Sequence, residues 1–177
     1  MARVPLIDDK EHPELAELVA RIRGARGGRL INLYRVLLRS PSLASAWFEF
    51  NNAVRYQTKL DDRTRELVIM RVAVLTGCAY VLNVHKARYA EPAGVTRAQT
   101  GALANWRRSK LFGRRDRALL AYVDAMTRNV DVRQAVFDGL REHFGEREVV
   151  ELTVLVAAYN MQTRVLNALS IDPEPAG

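Results

Sequence analysis

The sequence predicts an all-α fold. Apolar residues recur at helical spacing along the whole 177-residue chain, no stretch alternates as a strand does, and the breaks fall at Gly, Pro and N-cap residues. A hydrophobic fraction of 49 %, with no low-complexity tract, is enough to close a sizeable core and argues against disorder outside the ends.

Residues 11–23 place Leu15, Leu18, Val19 and Ile22 on one face, and Gly24, Gly27 and Gly28 end that helix. Residues 30–38 form a short apolar segment. Ser40 caps the next helix, with Pro41 at its first position, and it runs through Trp47, Phe48, Phe50 and Val54 to about Tyr56. Asp61 and Asp62 start a helix carrying Glu66, Leu67, Met70, Val74 and Leu75. Thr76 and Gly77 break it, and Cys78 opens another to about Ala90, stopped by Glu91-Pro92-Ala93-Gly94.

Thr96 and Gln99 have the spacing of a capping box and open a helix to about Arg107. Residues 114–129 turn Leu119, Leu120, Tyr122, Val123 and Met126 inward. Asp131 caps a segment to Phe144, Gly145 ends it, and a long, mostly apolar helix covers 146–169. These elements make seven to nine helices in a single domain over 1–177, with a frayed tail at 172–177. The segments starting at Arg65 and Arg147 echo each other, as a diverged helical hairpin or as two buried helices of similar composition.

A single cysteine excludes an internal disulfide and fits a reducing compartment, so a cytoplasmic location is expected. Apolar runs such as 152–159 are too short to span a bilayer, and the opening residues carry early acids and no apolar signal-peptide core. The net charge of +7 rests mainly on arginine. Its densest cluster is Arg107, Arg108, Lys110, Arg114, Arg115 and Arg117, beside Trp106 and Phe112. No recognised binding motif surrounds the cluster, so it reads as a solvated loop and helix start rather than a nucleic-acid patch. No His/Cys/Asp/Glu set has metal-ligand spacing, and no glycine-rich phosphate loop follows a strand. No metal is expected.

The stretch from Leu60 to Gly94 carries the chemistry. Glu66 stands in an apolar run, Cys78 follows twelve residues later, and His85 seven after that. Seven residues is about two helical turns, which puts Cys78 and His85 on one face. A thiol at a helix start meets unpaired N–H groups and the positive end of the dipole, which lowers its pKa. His85 suits acid–base work near neutral pH. Arg71, inside the same apolar run, needs a partner if buried, with Glu66 or an acid of another chain as the candidates. Tyr80 and Asn83 flank the site, and Asn160, Arg164 and Asn167 form a polar stripe better suited to a subunit contact than to a pocket. His12 and His143 have no supporting neighbours.

At these residues the chain resembles the carboxymuconolactone decarboxylase family, of the superfamily with the AhpD-like fold. The family motif is a Glu, a Cys-x-x-Cys or Cys-x-x-other twelve residues on, and a His seven after the first Cys; Glu66, Cys78 and His85 match it. Arg65-Glu66-Leu67, Arg71-Val72-Ala73, Thr76-Gly77-Cys78-Ala79-Tyr80 and Ala93-Gly94-Val95-Thr96 extend the likeness. So do Asn32-Leu33-Tyr34-Arg35 upstream and Arg164, Leu166, Asn167 and Ala168 downstream, over roughly 30–170. The resemblance implies an AhpD-like helical bundle that self-associates as a trimer or hexamer, with Trp47, Phe48 and Phe50 available to bury between chains.

One departure bears on the activity. The peroxidase branch needs both cysteines, one to attack and one to resolve, and here the second position is Val81. A sulfenic acid on Cys78 would need an outside thiol. The resemblance therefore implies a cofactor-free lyase of decarboxylase type acting on a small carboxylated lactone. In it His85 donates the proton, Glu66 tunes or relays, Arg71 or an arginine elsewhere holds the substrate carboxylate, and Cys78, Tyr80 and Asn83 border the site. A thiol-dependent peroxidase using Cys78, or a non-catalytic ligand-binding or scaffold relative, are the alternatives.

Overall fold

A computed structural model of the chain describes residues 2–174, and these form nine α-helices and no strand. The helices are α1 (Ala16–Gly24), α2 (Asn32–Leu37), α3 (Pro41–Tyr56), α4 (Asp62–Leu75), α5 (Ala79–Arg88), α6 (Arg97–Ala102), α7 (Arg114–Arg128), α8 (Gln134–Arg141) and α9 (Glu146–Ala168). The all-α expectation holds, and side-chain caps fix the starts of α4 and α6. Asp61 accepts the Thr64 N–H at 2.7 Å, and Thr96 and Gln99 close a reciprocal capping box.

Three boundaries differ from the sequence reading. The first expected helix begins as short 3-10 turns over Asp9–Glu11 and Pro13–Leu15. The helix expected to reach Arg107 ends at Ala102 and tightens into a 3-10 segment, Leu103–Arg108, kinked at Asn105. Arg133, not Asp131, is the N-cap of α8. The echo between 65 and 147 is not a repeated hairpin either. The first copy breaks at Gly77, which takes φ +63°, whereas α9 contains no glycine and runs on unbroken.

The chain divides into two compact units. One comprises Met1–Ala53 with Leu166–Gly177. Its core holds Ile7, Leu15, Val19, Leu38 and Ala44, and a second cluster holds Ile22, Tyr34 and Phe48 with Trp47 packed against it. Phe48 is therefore a core residue, whereas Phe50 is exposed. Asn32 ties down the described end of the chain, its backbone N–H donating to Glu174 at 2.8 Å and its side chain to the Asp172 carbonyl at 3.0 Å. The rest of the tail expected to fray, 175–177, lies outside the described residues.

The other unit, Val54–Val165, is built around α4. Leu67 to Ala73 are all buried, the pattern of a helix covered on every side, and α5 and α7 pack against it. Leu119, Leu120 and Val123 of α7 and Leu152, Leu155 and Val156 of α9 add to its buried apolar residues. A 2.7 Å bond between the Tyr122 and Thr153 hydroxyls joins α7 to α9. No helix among the described residues is long and apolar enough to cross a membrane.

Candidate functional site: a buried carboxylate–imidazole pair

The junction between α4 and α5 sets the geometry. Gly77, left-handed, lets the Cys78 N–H reach back to the Ala73 carbonyl at 2.9 Å and its own N–H to Val74 at 3.4 Å. This is a Schellman closure, and it turns the chain so that α5 folds back against α4. The reversal brings Glu66 to His85. Glu66 Oε2 lies 2.5 Å from His85 Nδ1, and the two side chains are only 3 % and 5 % exposed.

Arg55, near the end of α3, completes the group. Its Nη2 is 3.9 Å from Glu66 Oε1, and its guanidinium lies over the rings of Tyr89 at 4.9 Å and Tyr56 at 5.2 Å. The Nε–H of Arg55 is buried without a hydrogen-bond partner among the described residues. The His85 ring meets Tyr89 in a tilted contact at 5.1 Å and Tyr159 edge-on at 5.8 Å.

The protonation pattern follows from these neighbours. Burial pushes the His85 pKa below its ordinary value, with Arg55 and Arg65 adding to that direction; the bond to Glu66 and its charge oppose the shift without cancelling it. His85 therefore rests neutral at pH 7. With the Arg55 guanidinium beside it, the Glu66 carboxylate serves as the acceptor of the 2.5 Å bond, so Nδ1 carries the proton and Nε2 presents a lone pair. Nε2 has no hydrogen bond to any described residue. The pair is arranged for proton transfer at that atom.

Cys78 is the N-cap of α5, as expected, and two turns before His85 on the same face. Its thiol, however, behaves opposite to expectation. Only 1 % of the residue is exposed, and burial raises the thiol pKa even though the Val81 and Tyr80 N–H groups pull it down. Desolvation outweighs the helix terminus here because the sulfur lies inside the unit.

The structure does not bring the other candidates to the imidazole. Arg71 follows Glu66 by five residues, about 140° further round α4, and its Nε donates to Asp124 at 2.6 Å rather than to Glu66. Tyr80 is buried but about 140° from His85 round α5, and Asn83 is about 200° away and exposed. Asn160 and Arg164 of the polar stripe bond to each other at 2.5 Å, and Asn160 also to Thr127. Among the described residues, no His/Cys/Asp/Glu group is placed to hold a metal ion. Arg55, Tyr89 and Tyr159 were missed from sequence. Only a cation next to an aromatic, Arg55-Tyr56 at the end of an amphipathic helix, could have flagged one of them.

The model of the carboxymuconolactone decarboxylase family matches residues 41–125, which include Arg55, Glu66, Cys78 and His85. The uncharacterized protein YnjA of Escherichia coli K12 is 30 % identical over 134 residues, 75 % of this chain and 70 % of that protein. Among solved structures, ATU0492 of Agrobacterium tumefaciens is described as a protein of unknown function and a candidate antioxidant defence protein AhpD. It superposes with a TM-score of 0.73 at 27 % identity, covering 78 % of this chain and 94 % of that one. The debrominase Bmp8, solved as a Cys→Ala variant with 2,3,4-tribromopyrrole, shares the fold. Its TM-score is 0.80 at 20 % identity, over 97 % and 91 % of the two chains.

Proposed function

Because the chain belongs to the carboxymuconolactone decarboxylase family and carries its AhpD-like fold, we propose that it is a cofactor-free lyase. Its substrate is a small, enolisable, carboxylate-bearing molecule such as a carboxylated lactone. The observation that carries this reading is the 2.5 Å bond between Glu66 and His85 in a buried setting, with Nε2 left free. Burial strengthens the electrostatics of such a pair, and the carboxylate fixes both tautomer and ring orientation.

In the reaction, the bond to the departing carboxylate breaks and its electron pair passes into the unsaturated lactone as a dienolate while carbon dioxide leaves. Neutral His85 takes up a proton at Nε2 from solvent, the dienolate carbon then takes that proton from Nε2–H, and the imidazole returns to its neutral state. Glu66 stabilises the imidazolium that this step consumes. Arg55 replaces Arg71 as the cation for the substrate, because its unpartnered Nε–H is a donor available to the carboxylate or to the dienolate oxygen. A peroxidase role for Cys78 has less support, since the thiol is buried, its pKa is raised, and no second cysteine exists to resolve a sulfenic acid.

Self-association as a trimer or hexamer belongs to the same reading. Leu43, Trp47 and Phe50 lie at i, i+4 and i+7 of α3, with Leu43 and Phe50 exposed, an apolar stripe suited to a like surface. Sedimentation at several concentrations tests that part.

The catalytic part is tested by incubating carboxylated lactones with the protein in D2O. The expected result is carbon dioxide release with one solvent deuterium in the product, and a loss of about 10²–10⁴-fold in His85→Ala. Release that is unchanged in His85→Ala, or no turnover of any carboxylated lactone, would remove the lyase reading and leave the ligand-binding or scaffold one.

A further inference from the structure

Away from the Glu66–His85 pair, a cavity of about 310 Å³ opens between α4, the Leu103–Arg108 turn and α7. Four arginines line it, Arg71, Arg107, Arg108 and Arg128, against one carboxylate, Asp124, so four positive charges less one leave an excess of three. Its volume lies at the lower end of the roughly 300–1,000 Å³ range of ligand sites.

The bonding inside the cavity shows the excess to be built in. Asp124 accepts from Arg71 Nε at 2.6 Å, Arg107 Nη1 at 2.5 Å and Trp106 Nε1 at 3.2 Å, so three donors share its two oxygens. Arg71 Nη1 is bound to the carbonyls of Leu103 and Ala104. The printed bonds of this guanidinium use Nε and Nη1, which leaves Nη2 as the donor on the side where Arg71 lines the cavity. Arg108 and Arg128 on the rim pair with no described carboxylate. The one carboxylate of the cavity is taken up by Arg71, Arg107 and Trp106, so the Arg108 and Arg128 guanidiniums face the space with no counter-charge of their own.

We propose that this cavity is a binding site for a small, multiply charged oxyanion, a phosphate-bearing or polycarboxylic molecule, held by Arg71, Arg108 and Arg128. Guanidinium forks match the planar, bidentate geometry of both anion types. Trp106 forms one wall, its ring already covered by the Arg107 guanidinium at 4.2 Å. This site is independent of the lyase reading, since Arg71 and Glu66 lie on different faces of α4.

The test is calorimetric titration with inorganic pyrophosphate and with tricarballylate, each at low and at moderate salt. The wild type is compared with Arg108→Gln/Arg128→Gln and with a charge-matched control, Arg29→Gln/Arg133→Gln. Saturable binding of one anion per chain is expected, weakened by about tenfold or more in the first double variant and by less than about twofold in the control. The tighter of the two probes identifies the anion type. Absence of saturable binding for both probes overturns the proposal, as does equal weakening in the two double variants. Tighter binding of a single-stranded oligonucleotide through Arg108 and Arg128 would also overturn it, making the surface a nucleic-acid face.

Discussion

The carboxylate of Glu66 and the imidazole of His85 stand 19 residues apart in the chain, on consecutive helices, and meet at 2.5 Å with almost no exposure. A charged carboxylate buried so deeply needs compensation, and it has two sources: the Nδ1–H of His85 and the Arg55 cation at 3.9 Å. The pair therefore works as a unit whose proton balance each neighbour shifts in a definite direction.

The two neighbours should move the His85 pKa in opposite senses. Glu66 raises it by bond and charge, so Glu66→Gln should lower it further. Arg55 lowers it, so Arg55→Gln should bring it up toward 6.5. The other groups facing the ring, Arg65, Tyr89 and Tyr159, stay unchanged in both variants. Proton chemical shifts of the imidazole followed against pH read both displacements, and shifts of the same sign would contradict the arrangement.

Stability should respond to the same group. A buried imidazole with a depressed pKa stays neutral while the unfolded chain binds a proton, so the unfolded state holds more protons below pH about 6.5. Unfolding free energy should hold above that pH and decline as pH falls through the folded pKa. In His85→Gln this step should vanish, leaving the decline below about pH 3.8 that accompanies loss of the Asp124 carboxylate. Burial raises the Asp124 pKa, but bonds from Arg71 and Arg107 bring it below its ordinary value. Denaturant melts across pH 4–8 check the first step, and an identical curve in His85→Gln would refute it.

Cys78 should be a sluggish thiol. With its pKa raised by burial, alkylation by iodoacetamide should be slower than that of a free cysteine and should climb only above pH about 8.5. A midpoint near neutrality would restore the thiol-dependent alternative.

The other face of α4 should carry stability. Removing Asp124 strands the buried Arg71 and the Trp106 N–H, so Asp124→Ala should cost about 3–5 kcal/mol in urea unfolding. A loss below about 1 kcal/mol would mean that solvent already compensates Arg71.

How much of this could be read in the chain is clear from particular residues. The break at Thr76-Gly77 was legible because only a glycine readily takes the left-handed turn there, and it placed Cys78 at a helix start. The meeting of Glu66 and His85 was legible because both sit within one hairpin, where local geometry fixes the meeting point. The thiol's direction was not, because a helix terminus is a local property whereas burial comes from the rest of the unit. Arg71 was known to need a partner, but Asp124 is 53 residues away and no spacing rule links them. Tyr159, on α9, was visible only as an apolar face, since what it packs against depends on tertiary structure.

The most direct measurement is the tautomeric state of His85 in uniformly ¹⁵N-labelled protein at pH 7, assigned by its loss in His85→Gln. A protonated Nδ1 and an unprotonated Nε2 are predicted, with the Nδ1–H signal displaced in Glu66→Gln. A proton on Nε2 with Nδ1 bare, or an imidazolium charged at pH 7, would contradict a neutral pair poised to take up and pass on a proton at Nε2.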